Sequence, residues 1–394
     1  MGTCTCQLHF HGDQREIINQ MESPELLISN IPKDINSQLS NNSLPIKLKN
    51  INQNKIELTI KNKLSEIGHF ISINEFQKYI DNGILAVMKK TLFKGDQYVT
   101  LPKLSSIKLD PFQFNDNQNI YHGSWNEECE MDGNGIYYSY NTKIIIEGIW
   151  SKGYNITGRI FFPNKDIYQG AIYDNKPHGI GELNKGNGDR YSGKFKHGDM
   201  ISGEIIFADD DTYYKGDLKN GFFNGQGKMV WANKIEYEGY FENSMLSGKG
   251  KITKIIEIDK NEIYEGNFTE NEFNGKGIYY FNNGDVYEGN FEIGIKKGYG
   301  KYKYITKGKE IIFEGNWLDD LPNGNGMLTY QGYELKGFWR NGDYMNSTEE
   351  EKEIFNKIDK NIKPPKISIF PNSLSHINIT NTSLYTQENF ENFI

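Results

Sequence analysis

The chain has 394 residues, 37% hydrophobic and 13% aromatic, and its 52 acidic against 44 basic residues leave a net charge of −8. With so little aliphatic material, tyrosine and phenylalanine must carry much of the apolar contact, which favours sheet over helix, and the acidic balance disfavours DNA or RNA as a partner. No apolar run is long enough to span a bilayer and no secretory leader opens the chain, so a cytosolic protein is expected; Cys4, Cys6 and Cys129 make no disulfide framework, and Asn267-Phe268-Thr269 is a chance glycosylation sequon.

Taken in chain order, residues 1-50 are rich in Asn and Ser and read as a mobile arm, apart from a short helix that Ser23-Pro24-Glu25 could start. They begin MGTCTCQLHFH. Gly2 resembles a myristoylation acceptor and Cys4 and Cys6 resemble palmitoylation sites, which together meet the two-signal requirement for stable anchoring; Cys6 stands where the myristoylation pattern has Ser or Thr. The alternative is a metal site from Cys4, Cys6, His9 and His11, although tetrahedral zinc wants a longer spacer between ligand pairs.

Residues 51-100 are expected to hold a short helical segment. Ile60, Leu64, Ile67 and Ile71 follow helical spacing, and Ser72-x-x-Glu75 is a capping box ahead of Phe76 and Ile80.

Residues 118-345 repeat. Aromatic-x-Gly-x-aromatic, then Gly-x-Gly, recurs with a period of about 23, opening at Tyr121, Ile146, Tyr168, Tyr191, Tyr214, Tyr237, Tyr264, Tyr287 and Phe313, with a truncated copy at Leu335. Period-two geometry puts Tyr264, Gly266 and Phe268 on one face of a strand and Glu265 and Asn267 on the other. The glycine leaves room for a ring to lie across the backbone, and Gly275 and Gly277 open a matching groove on the return strand. One hairpin is marginal in water, so each must pass its edge to the next. Two copies depart from the pattern: Ile160 and Ile205 are read as replacing the second glycine, with one extra residue in the hairpin, and the aromatic stripe is expected to be interrupted or the sheet to bend there.

The stretch YEGNFTENEFNGKGIYYFNNGDV, from Tyr264 to Val286, resembles a MORN repeat, and the likeness runs from about Tyr121 to Asp343. Repeats and resemblance together imply an all-β repeat array: tandem antiparallel β-hairpins forming an elongated single-sheet ribbon, with short flanking helices and mobile termini. The resemblance further implies non-catalytic interaction work, since MORN proteins serve in membrane junctions, in ciliary and cytoskeletal assemblies, and as appendages of lipid kinases and lysine methyltransferases. The stripe residues Tyr237, Phe241, Tyr264, Phe268, Tyr287, Phe291, Phe313 and Trp317 are the candidate binding residues.

After the array, residues 346-363 are expected to form an amphipathic helix, capped by Ser347-x-x-Glu350, presenting Ile354, Phe355, Ile358 and Ile362, and closing the last sheet edge. Residues 364-394 read as a mobile tail with a short alternation at Ile367-Ser368-Ile369-Phe370.

Enzyme signatures fail on context. Gly188 to Phe195, GDRYSGKF, falls one residue short of a phosphate-binding loop and lies inside a repeat with no helix to follow. Asp209-Asp210-Asp211 lacks calcium-loop spacing, and His178 and His197 are scattered one per hairpin. Glu238, Glu265, Glu288 and Glu314 form an acidic row on the outward face, which Lys249, Lys251, Lys276 and Lys301 are expected to neutralise across strands. No cofactor, catalytic residue, metal, nucleic acid or small-molecule substrate is expected. Partners are expected among other proteins, with a membrane surface as a second. The leading expectation is a scaffold tethered to the cytoplasmic face of a membrane. A phosphoinositide-binding or lipid-kinase regulatory module and a ciliary or cytoskeletal component without lipid are the alternatives.

Overall fold

The structure is a computed structural model, and it describes residues 46–79, 107–208, 211–257, 260–306, 309–345 and 348. The described strands, 23 in number, belong to one antiparallel sheet, as the tandem hairpin pattern requires. The chain divides into two compact units, Met1–Gly181 and Glu182–Ile394.

The first unit opens with two helices, α1 (Ile46–Leu64) and α2 (Ile73–Tyr79), on either side of the short strand β1 (Gly68–Phe70). Helix α1 begins inside the span expected to be a mobile arm, directly after Pro45, a residue suited to a helix start. Ile60 and Leu64 are buried, but the helical face stops there. Ile67 is 37% exposed and Ile71 is buried from a non-helical position, because Gly68 turns the chain into β1. A Cβ on Gly68 would collide with the Phe112 ring and the Gln113 carbonyl of the neighbouring strand, so only glycine admits this approach. The capping box is formed on its Ser72 side: Ser72 Oγ accepts the Glu75 N–H at 3.1 Å.

Strands β2 (Ile107–Lys108) and β3 (Phe112–Phe114) follow, and both pair with Ile120–Trp125, the first strand of the repeats. Strand β1 pairs in turn with β3. The sheet therefore starts ahead of the expected Tyr121, with β3 and then β1 extending it beyond the first repeat.

Within each regular hairpin the register explains both glycines. In the Tyr264 repeat, Gly266 faces Gly277 and Phe268 faces Phe273, so Asn267 stands opposite a bulge that contains Gly275. Gly275 has φ of +78°, which a side chain would strain. Gly277 lies instead under the Tyr264 ring. The two departures from the pattern have to be reassigned on this basis. Gly148 faces Gly158 and Gly193 faces Gly203, so the second glycine is present in both, and the hairpins are one residue shorter. Ile160 and Ile205 lie two residues beyond, facing Ile146 and Tyr191. What is missing is one bulge residue, and with it the need for a left-handed glycine. The stripe is nonetheless interrupted at both: Ile146 stands where other repeats have tyrosine, and the Met200 methyl lies over Gly193 and Gly203 in place of a ring.

Away from these two repeats the buried face is aromatic packing. Tyr264 stacks on Phe273 at 3.8 Å and meets Phe268 and, from the next repeat, Phe291 edge-on at 5.2 and 5.1 Å. Each ring bends back over its own glycine, and its hydroxyl reaches the carbonyl three residues on: Tyr121 to Ser124, Tyr168 to Ala171, Tyr214 to Asp217, Tyr237 to Tyr240, Tyr264 to Asn267 and Tyr287 to Asn290, at 2.7 to 3.1 Å. The buried phenol is thus satisfied by a backbone acceptor.

Side chains also staple each turn to the next. Along one margin, Asn119 accepts the Tyr140 N–H, Asp189 that of Ala208, Thr212 that of Ala232 and Asp285 that of Ile305. On the opposite margin, Ser244, Asn271 and Asp320 accept from Phe223, Leu246 and Lys296. At the end of the second unit the Tyr344 ring covers Gly337, its hydroxyl donates to the Lys336 carbonyl at 3.2 Å, and the Met345 N–H donates to Phe338. The helix expected at residues 346-363 lies outside the described residues, as does the tail at 364-394.

Two predictions follow from this packing. A Cβ on Gly266 would sit 2.5 Å from the Tyr264 hydroxyl and 2.7 Å from Gly277 Cα, whereas Asn267 only donates to the Lys276 carbonyl at the surface. Gly266→Val should therefore cost about 1 to 3 kcal/mol or more, and Asn267→Val under about 1. Equal shifts in denaturation midpoint would refute the assigned faces.

Burial raises the pKa of Tyr121, Tyr168, Tyr214, Tyr237, Tyr264 and Tyr287, and pushes Tyr137 up to about 12. Unfolded tyrosines ionise near pH 10, so above that pH the unfolded state holds fewer protons than the fold, and stability is lost as pH rises through the folded values. Denaturation midpoints should fall steeply above about pH 10, and the late tyrosinate absorbance should appear together with loss of the sheet's circular dichroism. Complete tyrosine ionisation with the sheet intact would contradict the buried stripe.

Candidate interaction surface

The eight stripe residues named as candidate binding residues are brought together by the fold, but as its interior. Tyr237, Phe241, Tyr264, Phe268, Tyr287, Phe291, Phe313 and Trp317 are each at most 2% exposed, with their rings against one another. A ring with no accessible surface offers a partner no contact area. These residues are therefore the floor that fixes the sheet, and the surface a partner can meet lies elsewhere.

That surface is the opposite face of the second unit. Across the ladder, Glu238 faces Lys228 and Lys251, Lys251 faces Glu265, and Lys301 faces Glu288 and Glu314. Lys251 and Glu265 meet at 2.6 Å with both side chains roughly half exposed, as does the pair Lys303 and Glu310. Glu265 is thus ion-paired and Lys301 stands across from Glu288 and Glu314, whereas Lys249 and Lys276, expected to neutralise the row, face Asn267 and Asn290; an exposed pair contributes under about 1 kcal/mol. Beside it runs a row of amides: Asn267 donates to Lys276, Asn290 to Tyr299 and Asn316 to Asn325, each across its own hairpin. Tyr299, 57% exposed, reaches Glu314 through its hydroxyl at 2.8 Å.

The first unit treats the same face differently. Its equivalent pair, Glu147 with Arg159, is buried, because α2 lies over this face. Phe76 meets His122 edge-on, Tyr79 meets Tyr138, and with Ile71 they pack on Ile120, Tyr138, Ile145 and Phe161.

The buried face also holds a cation. Lys296 occupies the place held by Phe273 one repeat earlier, facing Phe291 as Phe273 faces Phe268. Its side chain is fully buried, with Nζ 3.2 Å from Asp320 and within 6.0 Å of the Phe281, Tyr287 and Tyr302 rings. Burial lowers the ammonium pKa, and Asp320 opposes that shift. The contact is an ion pair whose alignment is too poor for a hydrogen bond. The turn residue that staples the neighbouring backbone thus also supplies the counter-charge. Asp320→Asn should cost about 2 to 3 kcal/mol, because it leaves a buried cation unpaired, while Lys296→Met should be neutral or stabilising. With Lys296→Met already present, Asp320→Asn should cost less than about 1 kcal/mol. Additive costs in this double-mutant cycle would show that the pair does not interact.

Of the other sequence-stated positions, Gly2, Cys4, Cys6, His9 and His11 lie outside the described residues, as do Asp209 and Asp210. His178 stands beside Tyr173 at 5.3 Å, and His197 is in a turn with φ of +51°. Lys296, the turn staples and the α2 contact were not read from the sequence. The only signal for Lys296 was a lysine at a repeat position where Met200, Phe223, Leu246 and Phe273 are apolar.

Tandem hairpins with a tyrosine laid over a glycine pair define a β-hairpin repeat protein. The MORN repeat family model matches six segments, at residues 168–190, 214–234, 237–254, 264–286, 287–309 and 313–333, so the chain carries six MORN repeats. Among curated proteins it is similar to Alsin of Mus musculus, 28% identical over 171 residues, and to Alsin of Homo sapiens, 27% identical over 169. Each match covers 42% of this chain and 9% of the relative, so the chain matches a small part of those proteins.

Proposed function

We propose that this protein is a non-catalytic interaction scaffold held at the cytoplasmic face of a membrane by acylation of Gly2, Cys4 and Cys6. The observation that carries the scaffold reading is the division of labour between the faces of the second unit. One face is consumed by the protein's own aromatic packing, and the other presents paired charges, amides and half-exposed rings in strand-by-strand register. Such a face can meet a partner over several repeats and holds no group poised for bond chemistry. MORN repeats are in general protein- and membrane-interaction modules, which supports the same reading.

The tether rests on the sequence MGTCTC. A single myristoyl chain binds membranes only reversibly, with an association constant of roughly 10⁴ M⁻¹, so a second lipid is needed to hold the protein there. Labelling cells with alkyne-tagged myristate and palmitate, followed by fractionation, tests it. Gly2→Ala should release the protein into the soluble fraction. The double variant Cys4→Ser, Cys6→Ser should keep myristate and bind weakly enough to wash off. If neither label is incorporated and both variants pellet like the parent, the tether is wrong and attachment to a cytoskeletal structure takes its place.

A further inference from the structure

In the first unit, the row of residues directly before each repeat's opening position, together with their cross-strand partners, is apolar on the face away from the stripe. Ile120 faces Tyr138, Tyr138 faces Ile145, Ile145 faces Phe161, and Phe161 faces Ile167. This is the row that α2 covers with Phe76 and Tyr79, three residues apart. Its residues are buried as a result: Tyr138 is 4% exposed.

The second unit repeats this row in the same register. Ile263 faces Tyr280 and Tyr280 faces Val286, an apolar run bounded by Lys303, which faces Val286 on one side and Ile312 on the other. Here the row is open: Tyr280, the counterpart of Tyr138, is 37% exposed, and Ile263, Val286 and Ile312 are half-buried. Ile305, on the same face, is 40% exposed. Apolar side chains in contiguous register on an accessible sheet face are an interaction surface rather than scattered exposure.

Charge selects the occupant. Along the adjacent row the sign alternates wherever a lysine stands between two glutamates, as Lys251 does between Glu238 and Glu265 and Lys301 between Glu288 and Glu314. Between Glu265 and Glu288 that lysine is missing. Ile278 occupies the lysine's place, so Glu265 and Glu288 flank an isoleucine with no cation between them. Glu265 keeps its Lys251 partner and Glu288 faces Lys301, so each carboxylate has a cation on one side only, and the apolar row beside them is complementary to an apolar stripe with a basic margin.

We propose that Ile263, Ile278, Tyr280 and Val286 form a docking site for an amphipathic helix of a partner protein, with two aromatic side chains three residues apart and lysine or arginine along one margin. The helix lies on the sheet as α2 lies on the first unit, and its basic residue takes the place between Glu265 and Glu288 that a lysine fills in the neighbouring repeats. The site rests on the scaffold reading and supplies the partner's chemistry; it is independent of the lipid tether.

The test is fluorescence anisotropy with the full chain and three labelled, helix-stapled peptides of one length: Phe and Tyr at i and i+3 with a lysine margin, the same aromatics with a glutamate margin, and the lysine margin with both aromatics replaced by serine. The first should bind at least about tenfold more tightly than either other. Glu265→Lys with Glu288→Lys should invert the preference between the two aromatic peptides. Ile278→Lys with Tyr280→Ser should abolish binding without moving the thermal midpoint, since both side chains are partly exposed. Equal binding of the serine and aromatic peptides would reduce the effect to bulk charge and overturn the proposal. So would an absence of binding by the first peptide, or full affinity in the Ile278→Lys, Tyr280→Ser variant. Membrane fractionation of the full chain is read separately, so failure of the helix site and failure of the tether are distinguishable.

Discussion

A tyrosine ring lying over a glycine on its own strand and a glycine on the next is the contact on which this structure depends. It removes the ring from water, satisfies the hydroxyl with a carbonyl three residues on, and forbids any side chain at either glycine. A single sheet ordinarily lacks a second layer to bury its face. Here the second layer is built from the sheet's own side chains, since Phe273 stacks on Tyr264 while Phe268 and Phe291 close it edge-on. The following repeat supplies part of each ring's cover, so neighbouring repeats depend on one another.

Where that contact is absent, other groups take over its job in recognisable ways. A methionine methyl covers one glycine pair, and a phenylalanine ring without a hydroxyl covers the pair Gly315 and Gly326. In the Tyr287 repeat the ring still covers its glycines, but the stacking place that Phe273 holds one repeat earlier is given to Lys296, and the fold compensates with Asp320 and three ring faces. The bulge glycines answer a separate demand. They supply left-handed backbone where the return strand carries two extra residues, and the short hairpins, with one extra residue, dispense with them.

Using one face for cohesion leaves the other available for recognition, and the two units use it differently. In the first, α2 occupies it and buries an ion pair equivalent to those left half exposed in the second. The difference comes from chain that precedes the repeats rather than from the repeats themselves, which carry the same register in both units. A scaffold can thus keep one set of hairpins stable and change what each stretch presents by covering it or leaving it open.

The sequence by itself determined the repeat, its hairpin character and the faces of Tyr264, Gly266 and Asn267, because alternation and glycine spacing are local properties of a strand. It also placed Lys251 and Lys301 across from the glutamate row, since that follows from the register of adjacent repeats, but Lys249 and Lys276 face Asn267 and Asn290 instead. What only the tertiary structure decided depends on contacts distant in the chain. The binding stripe proved to be interior because successive repeats close over each ring. Helix α1 ended at Leu64 because Gly68 approaches the Phe112 ring, a residue more than forty positions away. Which glycine was missing at Ile160 and Ile205 could not be read from spacing, because a bulge one residue shorter and a displaced glycine give the same letters until strand pairing fixes the register.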